Sequence, residues 1–531
     1  MSRLSLTGLV SLSVLALTAL YSCEEKPARP DLPFETSNYT RTSSYQEVID
    51  VVKYVAYQMP NAYIDTMGYT NDGKILPLVI LSDQKVTNPE QAHALDRPLI
   101  FVMANIHGGE VEGKDAMMKL LLEFADGKHR DLLSKITIMI APIYNADGND
   151  DFDRLNRITQ NGPDSVGVRT NRQGFDLNRD YMKLASPEAR ALIGRAFNYW
   201  DPILFMDLHT TNGSYHGYHL TYSTPLNPNT HPQIVSYQDR VMMPVIKEKM
   251  SEKDWRIFEY GNFVRNNPDS GWATFSPQPR FGTNYYGLRN RLTLLSESYS
   301  YVDFKNRIAS TYDFVLSTLH VSAEQSQQLN ELRRLMDTAY AEYSGSPTDS
   351  LGTAFTFAEP VEESFLMGSV DTVLHKDINR MTFKMRPEVQ ERTIKNFRAF
   401  TPTRYEKVPF AYFIDNSDGR MDSVLIKLKE HGISTEEASS LPDSLEIFVP
   451  SQVVKAQRPF QERIINTVTG NWTSVARPSN SLYRVNTNNP KRNLIFYLLE
   501  PSTDDGLVAW AFANTRLAPG QTIGIYRQVK K

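Results

Sequence analysis

The chain has 531 residues, of which 41% are hydrophobic, and a formal net charge of -4 at neutral pH. That length exceeds one ordinary core and points to two domains and a tail. The near balance of 57 basic and 61 acidic residues leaves no basic excess of the kind nucleic-acid binding needs.

Met1-Ser2-Arg3 is a short basic start, followed by an apolar segment from Leu4 to Leu20. This is the build of a secretory signal peptide, with an uncleaved anchor as the competing reading. The segment ends in Leu20-Tyr21-Ser22-Cys23, which resembles a bacterial lipobox, and Cys23 is the single cysteine of the chain. Residues 1–23 are therefore read as a lipoprotein leader, with Cys23 as the lipidation site. Residues 24–44, which contain Pro27 and Pro30, are read as a tether. The expected location is extracytoplasmic, on a membrane through the lipid anchor, facing the periplasm or at the cell surface. No later stretch is long and apolar enough to span a bilayer.

Ser44 and Glu47 have the spacing of a capping box, and Val48, Val52, Val55 and Met59 continue a helical stripe behind it. Ile64 to Leu81 alternates around Asn71-Asp72-Gly73, a hairpin signal. Leu99 to Ala104 is a continuous apolar run, as in a strand buried on both faces. It leads into Asn105-Ile106-His107-Gly108-Gly109-Glu110, and Glu112 to Phe124 then has helical spacing. A His-x-x-Glu pair on the turn that leaves a buried strand can aim an imidazole and a carboxylate, both good zinc ligands, at one point. The two glycines allow close approach of the backbone there.

Further buried strands are expected over Ile136 to Ile143, Pro202 to Leu208 and Leu292 to Leu295. Helices are expected over Pro187 to Tyr199, Pro232 to Met250 and Ser322 to Glu342. The alternation indicates an α/β domain with a mixed, mostly parallel sheet flanked by helices, over residues 45–345. His107, Asn145, His209 and Glu297 each stand just past a predicted strand end, where open α/β sheets bind ligands. Gly345 to Asp349 reads as a linker. Residues 350–531 read as a β-rich accessory domain, with strands at Thr353 to Phe357, Phe410 to Ile414, Leu445 to Val449 and Leu494 to Leu498. One helix, Ser423 to His431, interrupts them. The remaining histidines, His216 and His219 among them, are read as packing or loop residues.

Four motifs in order, His107-x-x-Glu110, Asp176-Leu177-Asn178-Arg179, Asp207-Leu208-His209-Thr210 and Leu295-Ser296-Glu297, resemble the zinc carboxypeptidase family over about residues 45 to 325. The resemblance implies one zinc ion per chain held by His107, Glu110 and His209, with the fourth position left for water. It implies Glu297 as general base and Arg157 as the cation that stabilises the oxyanion. It implies Asn178 and Arg179 as the grip on a substrate's C-terminal carboxylate. Asp176 is implied as the carboxylate that orients His107 from behind. The family also uses a tyrosine near the substrate, for which Tyr286 is the candidate, with Tyr285 beside it.

The pocket-base residue should fall within Pro277 to Gly282, where Arg280 would either favour acidic side chains or be exposed. The implied activity is hydrolysis of C-terminal peptide bonds, on peptides with a free C-terminal carboxylate. A zinc amidase acting on peptidoglycan stem peptides or N-acyl amino acids, and a non-catalytic surface binding lipoprotein, are the alternatives.

Overall fold

The computed structural model describes residues 27–338, 349–376, 378–478, 481–513 and 517–529. The expected leader with Cys23, the first tether residues and the expected linker residues 345–348 lie outside the described residues. No helix among the described residues is long and apolar enough to cross a membrane.

The first helix, Tyr45–Gln58, starts with the expected capping box: Ser44 N–H donates to Glu47 Oε2 at 2.8 Å, and Glu47 N–H returns to Ser44 Oγ at 3.4 Å. The hairpin of β1 (Tyr63–Tyr69) and β2 (Ile75–Leu81) closes through Gly73 in the left-handed region, at φ 82°. The sheet continues with β3 (Leu99–Ala104), β4 (Thr137–Ala141), β5 (Leu204–Thr211), β6 (Leu220–Ser223) and β7 (Ile257–Glu259). Two short strands, β8 (Asn262–Phe263) and β9 (Trp272–Ala273), lie apart from it, and β10 (Leu292–Tyr299) completes it. The eight strands run in the order β1-β2-β4-β3-β5-β10-β6-β7. The central four, β4, β3, β5 and β10, are parallel, and antiparallel pairings join β1, β2 and β6 at the flanks.

Both faces of β3 are buried, which is why its sequence is continuously apolar. Ile100, Val102 and Ala104 join the core under helices Tyr45–Gln58, Glu112–Ala125 and Phe304–Glu324. Leu99, Phe101 and Met103 join a second core with Phe197 and Trp200. This second core also contains Tyr412, Ile414, Leu494, Ile495 and Trp510 from the C-terminal region. The C-terminal region thus packs on the helical layer of that sheet face, with His431 against Tyr285 and the Glu430 carbonyl accepting from Asn198. It also extends a small sheet, because strand Gln390–Phe397 pairs in parallel with β9.

Several expected elements are corrected. The helix expected over 322–342 is two helices, Phe304–Glu324 and Ser326–Thr338, and residues 339–342 lie outside the described residues. Pro187 to Tyr199 is a short α-helix, Pro187–Ala191, that widens into π turns over Leu192–Trp200. The helix expected over 232–250 has a π stretch, Gln238–Met242, just before Pro244, which has no N–H to give the carbonyl four residues back. Leu494 to Leu498 is not a strand but part of helix Arg492–Leu499, whose residues are all buried. A short run that is apolar on every side carries no period with which to tell the two apart. The other C-terminal expectations hold: strands Ser350–Phe357, Ala411–Ile414 and Leu445–Lys455, and helix Asp422–Glu430.

The shared core has a direct consequence. A fragment ending at residue 338 would expose the Tyr285 side of this second core, and it is expected to precipitate or to bind an apolar dye strongly where the full chain does not. A soluble fragment that leaves the dye dark and keeps native near-UV dichroism would contradict a common core.

Candidate metal centre and cleft

The turn after β3 is built by Asn105, which sits in the left-handed region at φ 64°. Its side-chain amide donates to the carbonyls of His107, Gly108 and Glu110 at 3.2, 3.2 and 3.1 Å. Gly108 and Gly109 are needed for space: a Cβ on Gly108 would stand 2.3 Å from the Gly148 carbonyl carbon, and one on Gly109 would stand 2.6 Å from the Gly167 oxygen. This packing drives His107 and Glu110 into the floor of a cleft at the C-terminal ends of the parallel strands.

There the buried Glu110 carboxylate meets both imidazoles. His107 Nδ1 lies 2.8 Å from Glu110 Oε1, and His209 Nδ1 lies 2.9 Å from Oε2. The ligating atoms of the three residues all fall within 4.8 Å of one another, and among the described residues this is the group of His, Cys, Asp and Glu side chains able to hold an ion. The far nitrogen of each ring faces a carboxylate, His107 Nε2 to Asp176 Oδ1 at 3.0 Å and His209 Nε2 to Asp207 Oδ2 at 3.1 Å. Such outer carboxylates fix the ring orientation and leave Nδ1 free to ligate.

The donor set fits a zinc ion by chemistry as well as by distance. Burial alone would raise the Glu110 carboxyl, but the charges of His107 and Arg157 and the hydrogen bonds of both histidines hold it well below the usual range. Burial likewise opposes the charged form of His209, yet Asp207 and Glu110 raise it well above its ordinary value. The site therefore demands positive charge, which a divalent cation also supplies. Asp176 is held far below the carboxylate range, against burial, by His107, Arg169 and Arg179.

His209 and Glu297 do not lie past their strands, as the sequence pattern suggests. Strands β5 and β10 run on to Thr211 and Tyr299, and the two residues are direct register partners across that parallel pair. Glu297 is pushed up to about 8 by burial, with Glu110 adding to the shift and His209, Arg169 and Arg157 opposing it. Asn145 is not in the cleft. It caps helix Ala146–Asp150, accepting from Gly148 N–H at 3.0 Å, and its own N–H holds the Asn105 carbonyl at 2.9 Å.

The cleft encloses about 350 Å³ and is lined by His107, Glu110, His209, Glu297, Arg157, Asn178 and Arg179. Arg157, at φ 48°, contacts Glu110 through its guanidinium. A second arginine not singled out in the sequence, Arg169, stands 3.6 Å from the same Glu110 oxygen and 2.9 Å from Asp176. Asp153 bridges to Val166, folding back the loop that carries Arg157, while Arg172 pairs with Asp72 at 3.4 Å on the surface. That long-range bridge, not any local pattern, is what selects among the arginines. Asn178 and Arg179 follow Asp176 on a single turn; Asn178 Oδ1 accepts from Gly282 N–H at 3.0 Å, so its NH2 is what it offers the cleft. The Arg179 guanidinium lies over the Phe281 ring, 4.3 Å from its centre.

Tyr286 is a correction. It is fully buried, its hydroxyl donates to the Pro202 carbonyl, and its ring packs 4.2 Å from that of Phe197. Tyr285 is equally buried, with its hydroxyl 2.8 Å from His431 Nδ1. The tyrosine on the cleft is Tyr260, next to β7, raised above its ordinary value by burial and by the charge of Glu297. A three-residue edge strand gives too short a pattern to have marked it. Arg280 is neither exposed nor in the cleft, because Asp505 takes its guanidinium.

Residues 48–224 match the family profile described as "Zinc carboxypeptidase". Over this region the chain is similar to the zinc carboxypeptidase family. A relative named "Probable carboxypeptidase 2", from Arthroderma benhamiae, is 30% identical over 152 residues, which is 28% of this chain and 25% of that protein. Carboxypeptidase D of Mus musculus is 28% identical over 160 residues, 25% of this chain and 11% of the relative. The chain thus matches a quarter or less of the length of these curated relatives. Carboxypeptidase A from Helicoverpa armigera aligns with a TM-score of 0.42 at 16% identity, covering 57% of this chain and 78% of that one.

The raised Glu297 gives the metal-free protein a pH signature. In the unfolded chain a glutamate titrates near ~4.3, so folding takes up a proton between roughly that value and the folded one. Stability is then lost as pH rises through about 8. In a chelator, the wild-type melting temperature is expected to fall between about pH 5 and pH 8, and Glu297→Gln is expected to flatten that slope. Parallel slopes would place the carboxyl at an ordinary value.

Proposed function

We propose that this protein is a zinc-dependent metallocarboxypeptidase acting on peptides with a free C-terminal carboxylate. The observation that carries the proposal is the meeting of His107, Glu110 and His209 in one cleft with Glu297, Asn178 and Arg179. Zinc, when bound by those three residues, supplies a Lewis acid and lowers the pKa of a coordinated water towards ~7. Glu297 takes the proton from the attacking water and returns one to the leaving amine. Its partly buried place, held across the sheet from His209, keeps it near the metal position without ligating it. Arg157 and Arg169 face the position where negative charge develops on the scissile carbonyl oxygen, and a fixed cation there lowers the barrier. Asn178 and Arg179 grip the terminal carboxylate, with a planar fork that matches it and an amide donor beside it. Tyr260 takes the place of Tyr286 as the tyrosine nearest the substrate. The basic start, the apolar run and the position of Cys23 support a lipid-anchored, extracytoplasmic location.

Two substitutions test the assignment. Glu297→Gln is expected to retain about one zinc per chain, by metal analysis, and to lose about 10²–10⁴-fold in kcat. Undiminished turnover would remove Glu297 from its role. Arg179→Ala is expected to raise KM by about 10–100-fold for a peptide with a free C-terminus and to change little for its amide. Equal loss on both would favour an amidase. Mass spectrometry of a digested peptide library then distinguishes C-terminal trimming from internal cleavage.

A further inference from the structure

Segments of the C-terminal region reach back to the cleft wall, and each ends on a residue that adjoins the carboxylate grip. Asp505 is fully buried and accepts from Arg280 twice, from the backbone N–H at 2.7 Å and from Nε at 3.1 Å, with Nη2 in ion-pair contact at 2.9 Å. Trp510 Nε1 donates to the same carboxylate at 2.7 Å. The Arg280 guanidinium also lies near the rings of Phe460 and Trp510, 5.0 and 5.1 Å from their centres. From another loop, Gln461 Oε1 accepts the backbone N–H of Asp176 at 3.0 Å.

Arg280 is followed by Phe281, which lies under the Arg179 guanidinium, and then by Gly282, whose N–H holds Asn178. On the other side of the grip, Asp176 precedes Asn178 and Arg179 on the same turn. The two residues proposed to hold a substrate's carboxylate are therefore clamped from both sides by contacts that end on residues 461 and 505. A buried arginine paired through its fork and its backbone to one carboxylate, with aromatic rings against it, has little freedom of geometry. Removing one member leaves an uncompensated buried charge, so the segment is expected to move rather than relax in place. Gly282 cannot shift inward, since even a Cβ there would stand 2.6 Å from the Tyr181 ring.

We propose that the C-terminal region is a positioning element for substrate recognition: through the Arg280–Asp505 pair and the Gln461–Asp176 hydrogen bond it holds Phe281, Asn178 and Arg179 where they meet the substrate's terminal carboxylate. This rests on the carboxypeptidase reading of Asn178 and Arg179. Arg280 is in this account a structural cation with its charge taken by Asp505, and it acts on specificity only through its neighbours.

The test uses the full zinc-loaded chain with Asp505→Asn and, as a milder change that leaves the buried charge pair intact, Gln461→Ala. Hydrogen exchange in Asp505→Asn is expected to be at least about 10-fold faster over residues 278–283, with β5 and β10 unchanged. KM for a peptide with a free C-terminus is expected to rise about 10-fold or more, with kcat and the KM of the amidated peptide nearly constant. Gln461→Ala is expected to give the same split, with a smaller rise. Unchanged exchange over 278–283, or equal losses on free and amidated peptides, overturns the proposal. If the wild type does not distinguish the two peptides, the carboxypeptidase reading fails, and the proposed contribution to substrate recognition fails with it. Faster exchange would then report a structural clamp alone.

Discussion

A buried carboxylate in contact with both imidazoles and an arginine is the constraint on which the rest of this site depends. Glu110 has almost no exposed surface, and an ionised group in that position is tolerable only if its charge is met on all sides. His107 meets it from the turn after β3, His209 from within β5, and Arg157 from a loop. Asp176 and Asp207 then face the far nitrogens of the rings, and Arg169 and Arg179 face Asp176. Each charge calls for the next, and the shell grows outward until it reaches solvent or the C-terminal region.

The sheet and the packing around it supply the rigidity that this arrangement needs. Asn105 ties three carbonyls of the His107–Glu110 turn with one side chain, and Gly108 lets that turn lie directly on Gly148 and Asn149 while Gly109 lets it lie on Gly167. On the second face of the sheet, Phe101, Phe197, Phe205 and Tyr286 form an aromatic cluster, and the C-terminal region joins the same core. The precision of the cleft is therefore bought with residues distant in sequence, and the 350–531 region is part of the same packing problem.

What could be read in the sequence was what repeats over many residues or sits in a motif. The buried strand before His107, the helix after it, the hairpin at Gly73 and the capping box at Ser44 all follow from period or turn chemistry. His107, Glu110, His209 and Glu297, which meet in the cleft, are legible because the motifs carry them. Tyr286 is not legible as a core residue because an aromatic pair in a short helix reads the same whether it faces a cleft or the core; the Pro202 contact decides. Tyr260 and Arg169 were missed because a short edge strand and a loop bridge bring them in. Leu494 to Leu498 reads as a strand in the sequence because a segment buried on all sides shows no polar face. Arg280 could not be placed at all, since its partner lies more than two hundred residues away.

The pairing of Glu297 with His209 has a consequence of its own. Neighbouring strands lie ~4.8 Å apart, so the interval between these two residues is a lattice constant of the sheet and does not depend on any loop. Insertions on the rim can remodel what the cleft admits while this interval stays as it is. The same arrangement makes the centre intolerant of frame: a one-residue slip of β10 would turn the glutamate to the opposite face and present a serine, 296 or 298, in its stead.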